Sequence, residues 1–207
     1  MRGRLITLEG GEGAGKSSAV SCMAEWLRAQ GRQVVVTREP GGTAAAERIR
    51  AVLLDPETGD IEPLTEALLM FAARSENLAQ VIRPALAAGQ DVICDRFTDA
   101  SRAYQGGGRE MGMAAIDALA ELVHPDIVPD LTLVLDVPVA VGMSRVGGRG
   151  QSPDRFERTR SDFLERVRNS YLALAEAEPE RIALIDASLS IDQVHRQIIA
   201  LLEERLA

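Results

Sequence analysis

The segment Gly10-Gly11-Glu12-Gly13-Ala14-Gly15-Lys16-Ser17 constrains the fold more than any other part of this chain, because it matches the pattern G-x-x-x-x-G-K-[ST]. It follows the apolar run Leu5–Leu8, which predicts a buried strand, and it precedes Ser18–Ala29, which predicts a helix. Its glycines let the backbone turn tightly and bring N–H groups close to phosphate oxygens. A strand, such a loop and a helix in this order predict a phosphate-binding loop, or P-loop.

Lys16 strengthens this interpretation, because it is the only lysine among 23 basic residues. A compact ammonium and a planar guanidinium are not interchangeable at a close phosphate contact. We therefore expect Lys16 to reach the terminal phosphates of a nucleotide and Ser17 to bind Mg²⁺, with the positive N-terminus of the following helix assisting. The predicted nucleotide-binding residues are Gly10, Gly11, Glu12, Gly13, Ala14, Gly15, Lys16, Ser17 and Ser18.

Apolar runs that alternate with helical patterns predict an α/β fold. The predicted strands are 5–8, 33–37, 91–95, 131–136 and 181–186, and the predicted helices are 18–29, 44–54, 64–88 with a kink or boundary at Pro84, 98–104 with a stop at the glycines 106–108, 114–123, 139–146, 156–177 and 191–206. Near-continuous apolar strands joined by helices indicate a parallel sheet that is covered on both faces. We expect a single domain over residues 1–207.

Composition limits the kinds of partner. The chain is 46% hydrophobic and 26% charged, as is typical of globular proteins, and its net charge of -8 argues against a broad nucleic-acid-binding surface. No stretch reaches membrane-spanning length, so no membrane partner is expected. We expect Cys22 and Cys94 to be small core residues of a protein in a reducing compartment. These features predict a cytoplasmic enzyme.

Charged residues cluster where the predicted strands end. Asp95 ends the third predicted strand, at the sheet edge where ligands bind in open α/β folds, so we expect it to bind Mg²⁺ directly or through water. Its alternative role is to cap the next helix.

Arginines near these strand ends or in the glycine-broken segment can clamp phosphates, or they can simply form a solvated face. These arginines are Arg38, Arg50, Arg74, Arg96, Arg149 and Arg155.

Two groups of side chains have the spacing of a base-recognition site. Phe71 and Arg74 are three residues apart on a predicted helix and so share a face. Ser101 and Gln105 are four residues apart and also share a face, with Tyr104 beside them. A ring, a guanidinium and an amide suit a nucleotide base, although Phe71 taken alone is more typical of a core.

Motifs that the sequence lacks limit the reactions that the chain could catalyse. The chain has no Asn-Lys-x-Asp segment, which disfavours a guanine-specific GTPase, and His124 and His195 lie outside every motif. No candidate general base stands beside the loop. A phosphate monoester has a second pKa of about 6, so as an acceptor it is already ionised near pH 7. A nucleoside hydroxyl would instead need a base.

The chain resembles bacterial thymidylate kinases, which are nucleoside monophosphate kinases, nearly from end to end. The resemblance rests on Glu9–Ser17, Thr37–Thr43, Leu69–Arg74, Asp95–Phe97 with Ser101 and Ala103–Gly106, and Pro129–Thr132 with Leu135–Asp136. It implies a five-stranded parallel sheet in the order 2-3-1-4-5, a short Arg-rich lid at about 147–157 and a homodimer. It also implies phosphoryl transfer from ATP, with Mg²⁺, to dTMP, which gives dTDP for dTTP synthesis.

The resemblance also implies a role for each matching residue. Phe71 would stack on thymine, Arg74 would bind its edge, and Ser101 and Gln105 would contact the base. Tyr104 would lie under the deoxyribose and exclude a 2′-hydroxyl. The acceptor phosphate would be held by Arg38, Arg50 and Arg96, with Glu39 in the same substrate site. Glu12 would approach the 3′-hydroxyl. Either Arg149 or Arg155 would reach the transferring phosphoryl group from the lid, with Arg149 favoured. Lys16, Arg149, Arg96 and Glu12 are thus the expected catalytic residues.

Two other functions stay open at this point. The nearer one is a kinase for another nucleotide or for a deoxynucleoside. The farther one is a nucleotide-dependent switch whose output is a contact with a partner protein. The arginines on the predicted acceptor side argue against a switch, because a switch needs no second phosphate site.

Overall fold

Five parallel strands form one sheet in the order β2-β3-β1-β4-β5 in the computed structural model, which describes residues 2–147 and 155–206. The strands are β1 Leu5–Gly10, β2 Val34–Arg38, β3 Asp91–Asp95, β4 Leu131–Asp136 and β5 Ile182–Asp186. The predicted fold class and strand order are therefore confirmed.

Helices connect the strands and cover the sheet. They are α1 Lys16–Ala29, α2 Ala44–Leu54, α3 Pro63–Asn77, α4 Arg83–Ala87, α5 Thr98–Ser101, α6 Met113–Val123, α7 Val139–Gly147, α8 Arg155–Ala177 and α9 Ile191–Leu206, with a 3₁₀ turn at Pro56–Thr58 and π-helical segments at Leu78–Ile82 and Arg102–Gly108. Within the described ranges, none of these helices has the length and apolar character needed to cross a bilayer.

Alternating side chains of β1 supply the two halves of the core. Ile6 and Leu8 pack in one cluster with α1 and α9, where Met23 and Ile198 are fully buried. Leu5 points to the other face and packs in a second cluster built from β3, α4 and the Leu78–Ile82 segment. Because successive side chains of a strand point to opposite faces, this division follows directly from the apolar run in the sequence.

The strand register brings the predicted site residues to one sheet edge. Leu8 lies opposite Asp95, and Asp95 lies opposite Arg38. Gly10, the first residue of the P-loop, lies opposite Leu135. The P-loop, Asp95 and Arg38 therefore share the carboxyl edge of the sheet, where open α/β folds bind their ligands.

The predicted helix over 64–88 is divided into α3, a π-helical segment and α4. Pro84 lies in the first turn of α4. Its missing N–H and its ring prevent regular α-helical pairing with the preceding turn, so a boundary near Pro84 has a local cause.

The helix that is predicted to stop at the glycines 106–108 continues through Gly106 and Gly107 and ends at Gly108. These glycines lie inside the π-helical segment Arg102–Gly108. A Cβ at Gly107 would lie 1.9 Å from the Ser170 hydroxyl, and a Cβ at Gly108 would lie 2.5 Å from the Phe163 ring. The glycines therefore allow α8 to approach this segment closely up to its end at Gly108.

Candidate active site

The P-loop has a backbone that only glycine accommodates at two positions. Gly10 and Gly13 have φ angles of 135° and 71°. A Cβ at Gly10 would lie 2.6 Å from the Leu135 carbonyl oxygen, and one at Gly13 would lie 2.1 Å from the Gly142 carbonyl oxygen. Positive φ angles and close backbone contacts thus explain the glycines of the motif, and the loop leads into the N-terminus of α1.

Lys16 folds back over the loop that carries it. Its Nζ donates hydrogen bonds to the carbonyl oxygens of Gly10, at 3.2 Å, and Gly11, at 3.3 Å. Burial, together with the nearby charge of Arg96, lowers the pKa of Lys16 to about 8. The ammonium group is therefore held at the centre of the loop, where an arriving phosphate would meet it.

Ser17 and Asp95 line one open depression of about 380 Å³ beside the P-loop. Asp95 Oδ1 is buried and has no hydrogen-bond partner among the residues that the structure describes. A serine hydroxyl and an unpartnered carboxylate oxygen are suitable donors for Mg²⁺, which prefers oxygen ligands. The two residues predicted to bind Mg²⁺ are thus brought together, and their chemistry fits the ion.

Arg96 adopts a left-handed backbone conformation, with φ at 72°, which is uncommon for a residue other than glycine. Neighbouring groups hold it there. Its N–H donates to the Leu8 carbonyl at 2.9 Å, and the following N–H, of Phe97, donates to Glu9 Oε1 at 2.7 Å. Its guanidinium donates to Tyr104 Oη at 3.1 Å and to Tyr171 Oη at 3.5 Å. Such strain is typical of functional sites.

Glu9 and Tyr171 form a buried hydrogen-bonded pair, and the tyrosine hydroxyl of this pair contacts Arg96. Glu9 is fully buried at the end of β1, and its Oε2 accepts a hydrogen bond from Tyr171 Oη at 2.8 Å. Burial, together with the charge of Asp99, raises the pKa of Glu9 to about 8. Tyr171 lies on α8, 162 residues away in the chain, so no local sequence signal could have linked it to Glu9.

A second cavity, of about 610 Å³, opens next to the P-loop. Six of the predicted site residues line it: Glu12, Glu39, Arg50, Arg96, Tyr104 and Gln105. Arg38 lies at the neighbouring depression with Ser17 and Asp95. We call the 610 Å³ space the acceptor cavity, since it lies on the side of the P-loop where the resemblance places the phosphate acceptor.

Arg38 and Arg50 lie close to each other near this cavity. The Arg38 guanidinium pairs with Glu47 at 3.0 Å, and Arg50 Nη1 donates to the Pro40 carbonyl at 2.9 Å. Burial and then the charge of Arg38 lower the pKa of Arg50. With Arg96, these guanidinium groups form a positive region that suits a phosphate.

Arg74 is fully buried and connects several predicted substrate residues. Its Nε donates to Glu39 Oε2 at 2.6 Å, and its Nη2 donates to the Phe97 carbonyl at 2.9 Å and to Ser101 Oγ at 3.0 Å. Its Nη1 is buried without a hydrogen-bond partner in the described parts of the chain. Arg74 therefore fixes Glu39 and Ser101 and keeps one donor unused.

Phe71 does not line the acceptor cavity, and its side chain is only 2% exposed. The Arg74 guanidinium carbon lies 4.4 Å from its ring centroid, and the His124 ring lies nearly parallel at 6.3 Å. The structure thus places Phe71 among core residues behind Arg74, so that stacking on a base stays a prediction.

Gln105 is a buried polar residue that lines the acceptor cavity, as Glu39 is. Its Nε2 donates to Glu66 Oε1 at 2.8 Å, and its Oε1 has no partner within residues 2–147 and 155–206. Sequence analysis did not identify Glu66, which lies 39 residues earlier on α3. Nothing in the local sequence marks it, because its role depends on how α3 packs against the Arg102–Gly108 segment.

Arg145 is a further residue that sequence analysis missed. Its guanidinium donates to the carbonyl oxygens of Gly13 at 3.4 Å, Ala187 at 2.7 Å and Ser188 at 3.2 Å. It therefore ties the P-loop to the loop after β5. Arg149, the expected lid arginine, lies outside the described residues. Arg155 begins α8, and its side chain is also outside the description.

Comparison with known proteins identifies the relatives of this chain. The family model described as thymidylate kinase matches residues 8–198. Thymidylate kinases of Alkalilimnicola ehrlichii and Chromohalobacter salexigens are 56% and 55% identical to it, over 100% and 99% of this chain and 93% and 97% of their own. The crystal structure of thymidylate kinase from Ehrlichia chaffeensis superposes with a TM-score of 0.80 at 33% identity, covering 98% of this chain and 99% of that one. The chain therefore belongs to the thymidylate kinase family.

Proposed function

We propose that this dTMP kinase binds the ATP phosphates at the P-loop and dTMP in the acceptor cavity, and transfers the terminal phosphoryl group directly between them. The product dTDP then serves dTTP synthesis. The observation that carries this assignment is the composition of the cavity. Arg50 and Arg96 line it beside the P-loop, and Gln105, with a buried unpartnered oxygen, also lines it. A nucleoside monophosphate has the matching combination of a phosphate and a hydrogen-bonding base.

The transfer is an in-line displacement. An oxygen of the dTMP phosphate attacks the terminal phosphorus of ATP, a new oxygen–phosphorus bond forms, and the bond from that phosphorus to the bridging oxygen of ADP breaks. The attacking phosphate is already ionised near pH 7, so no general base is needed. Catalysis then depends on positioning and on charge stabilisation.

Each charged residue has a part in this step. Lys16 neutralises charge on the terminal phosphates of ATP, and Arg96, with Arg38 and Arg50, holds the acceptor phosphate in line. Ser17 and Asp95 would hold Mg²⁺, which supplies further neutralisation of the ATP phosphate oxygens when bound. Glu12 lies in the cavity wall, where we place the deoxyribose 3′-hydroxyl. Tyr104, held by Arg96, is placed against the sugar and leaves no room for a 2′-hydroxyl.

The lid arginine would complete the charge stabilisation. We assign this role to Arg149 and keep Arg155 as the second candidate. An arginine that contacts the transferring phosphoryl group contributes about 10³-fold or more to turnover. Arg149→Ala should therefore lower kcat by that factor, with Arg155→Ala as the comparison. A loss of less than tenfold for Arg149→Ala would show that the assignment is wrong.

The test of the proposed function is ADP release from MgATP with dTMP, dUMP, dCMP, dGMP, dAMP and thymidine offered separately. We expect strong stimulation by dTMP, weaker stimulation by dUMP and none by thymidine. If another monophosphate stimulates best, the base-contact assignments are wrong. If no acceptor stimulates, the alternative of a nucleotide-dependent switch replaces this proposal.

We also propose that the enzyme is a cytoplasmic homodimer. Both cysteines, Cys22 and Cys94, are free thiols, which suits a reducing compartment. Leu64 and Leu68 of α3 are 58% and 49% exposed, and Val52 of α2 is 45% exposed. Neighbouring exposed apolar side chains of this size are typical of a protein–protein interface.

A further inference from the structure

The amide of Gln105 has only one possible orientation in this structure. Its Nε2 donates to Glu66 Oε1 at 2.8 Å. An ionised carboxylate can only accept hydrogen bonds, so the amide nitrogen must face Glu66. The amide oxygen, Oε1, must then point the other way. Turning the amide around would place two acceptor oxygens against each other in a buried site, where only 4% of Gln105 is exposed.

Glu66 is itself held in place. Arg109 Nη2 donates to Glu66 Oε2 at 2.8 Å, and Arg109 Nε lies 3.5 Å from Oε1. One carboxylate oxygen therefore binds Arg109 most closely, and the other binds the Gln105 amide. Both Glu66 and Gln105 line the acceptor cavity. The Arg109 contact fixes the carboxylate, which in turn fixes the amide.

Two buried groups at or next to the acceptor cavity thus have defined hydrogen-bonding roles: Gln105 lines the cavity, and Arg74, which does not line it, is joined to it through its hydrogen bond to Glu39. Gln105 Oε1 is an acceptor without a partner, and Arg74 Nη1 is a donor without a partner, within the described parts of the chain. The remaining nitrogens of Arg74 are occupied by Glu39, the Phe97 carbonyl and Ser101. Buried polar atoms are normally hydrogen-bonded, so an unused donor and an unused acceptor point to a ligand that completes both.

We propose that Glu66 is a specificity-determining positioning residue, which selects the acceptor base by fixing the carbonyl oxygen of Gln105 towards it. This inference rests on the proposed function. A thymine or uracil edge presents a carbonyl oxygen next to a ring N–H, which matches the Arg74 donor and the Gln105 acceptor. A cytosine edge presents an amino group next to an unprotonated ring nitrogen, so that donor faces donor and acceptor faces acceptor.

The size of this selection follows from burial. A site built to hydrogen-bond one group rejects an analogue that cannot pair with it by as much as about 10⁴-fold or 10⁵-fold, because the buried groups are left unpaired. If Glu66 were an amide, it could present either an oxygen or a nitrogen to Gln105. The Gln105 amide could then turn around, and its Nε2 would donate a hydrogen bond to the unprotonated ring nitrogen of cytosine.

The experiment compares dTMP and dCMP as acceptors at saturating MgATP, with kcat and KM measured for each. Glu66→Gln should lower the ratio of kcat/KM for dTMP to kcat/KM for dCMP at least tenfold, mainly through the KM values of the acceptors. The KM for ATP should stay within twofold. Glu66→Asp keeps an acceptor-only group and should retain the preference within about threefold, even if both acceptors bind more weakly.

Glu76→Gln is the matched control. Glu76 is on the same helix and accepts a hydrogen bond from the Gln80 amide, but it does not line the acceptor cavity. It should leave the ratio unchanged. Should Glu66→Gln fail to fold, Glu66→Ala, which favours the helix, is the second variant and should show the same loss of preference.

The possible outcomes distinguish a failure of the Glu66 assignment from a failure of the proposed dTMP kinase function. If wild-type enzyme does not phosphorylate dTMP, the proposed function fails. If wild-type enzyme prefers dTMP and Glu66→Gln or Glu66→Ala slows both acceptors equally, Glu66 has a structural role only and the inference is wrong. Equal losses of preference in the Asp and Gln variants would also overturn it, since hydrogen-bond polarity would then not be the cause.

Discussion

At the scale of single residues, burial determines how the charged groups of this site behave. Glu9 lies near the end of β1, and Lys16 is the first residue of α1, at the other end of the P-loop. Burial is the largest cause of both pKa shifts, and it disfavours the charged form in each case. The lysine therefore loses its proton more easily than usual, while the glutamate keeps its proton to higher pH.

The lone lysine offers a direct chemical test. Because the pKa of Lys16 is about 8, an amine-acylating reagent should modify it with a rate that reaches half its maximum near pH 8. MgATP should protect it. The α-amino group titrates in a similar range, so the modified peptides need to be separated by mass spectrometry. Lys16→Arg is the control, in which only the α-amino group should react. Modification of Lys16 at the same rate with and without MgATP would place it away from the phosphates.

Glu9 should make the enzyme less stable as pH rises. Its pKa is about 8 when folded and near 4.5 when unfolded, so between these values the folded state binds more protons. The stability it contributes is therefore fully present below about pH 4.5 and is lost as pH rises towards 8, by at most about 1.4 kcal/mol per pH unit.

Urea unfolding of wild type and Glu9→Gln between pH 5 and 8 measures this effect. The substitution should flatten the pH dependence of the free energy of unfolding. Glu25→Gln, which removes an exposed acid on α1, is the matched control and should not change the slope. Parallel slopes in wild type and Glu9→Gln would contradict a raised pKa for this carboxyl.

At the scale of secondary-structure elements, α8 connects separate parts of the site. It begins where the lid is expected to end, and its Tyr171 contacts both Glu9 and Arg96. Its Arg168 pairs with Asp136, at the end of β4, through two hydrogen bonds of 2.7 and 2.9 Å. Close packing of α8 on the Arg102–Gly108 segment brings Tyr104 and Gln105 to the cavity, and this packing depends on glycine.

Gly108→Ala should therefore destabilise the enzyme. A Cβ there would lie 2.5 Å from the Phe163 ring and 2.8 Å from Val167 Cγ2, so two packed side chains must move. Overpacking of this kind costs about 1–3 kcal/mol, measured as the change in the free energy of unfolding. Gly107→Ala is the comparison, because its Cβ meets mainly the Ser170 hydroxyl, which can rotate away. A larger loss for Gly107→Ala than for Gly108→Ala would contradict this account.

At the scale of the whole molecule, the sheet edge joins two depressions with different lining residues, which we propose as the two nucleotide sites. The P-loop with Ser17 and Asp95 lies on one side, and the acceptor cavity with Arg50, Arg96 and Gln105 lies on the other. The exposed apolar residues of α2 and α3 lie outside both depressions, apart from Leu54, which lines the acceptor cavity. The molecule thus has separate surfaces for catalysis and for the proposed dimer.

A charge placed in the apolar patch should dissociate the proposed homodimer. Leu68→Glu puts a carboxylate on α3 beside exposed Leu64, and burying an unpaired charge in an interface is strongly unfavourable. Sedimentation equilibrium should show a dimer for wild type and a monomer for Leu68→Glu. Ile191→Glu, at an exposed apolar residue on α9, should leave the dimer intact. A wild-type monomer, or a dimer that survives Leu68→Glu, would exclude this interface.

The sequence by itself determined the features that depend on neighbouring residues. The P-loop glycines, Lys16, the apolar strands and Asp95 at a strand end all have local physical causes, namely backbone conformation, periodicity and residue chemistry. The sheet order came from the family resemblance, because strand pairing is not encoded in any single segment.

Only the tertiary structure decided the features that depend on distant contacts. The sequence shows the glycines 106–108 only as a helix stop, and the packing of α8 shows that Gly107 and Gly108 also allow its close approach. No sequence pattern marks Glu66, whose contact with Gln105 depends on the packing of α3. No pattern marks the role of Glu9 either, because its partner Tyr171 lies on α8. Chain packing creates these buried hydrogen bonds, and burial gives them their strength, so local sequence patterns could not reveal them.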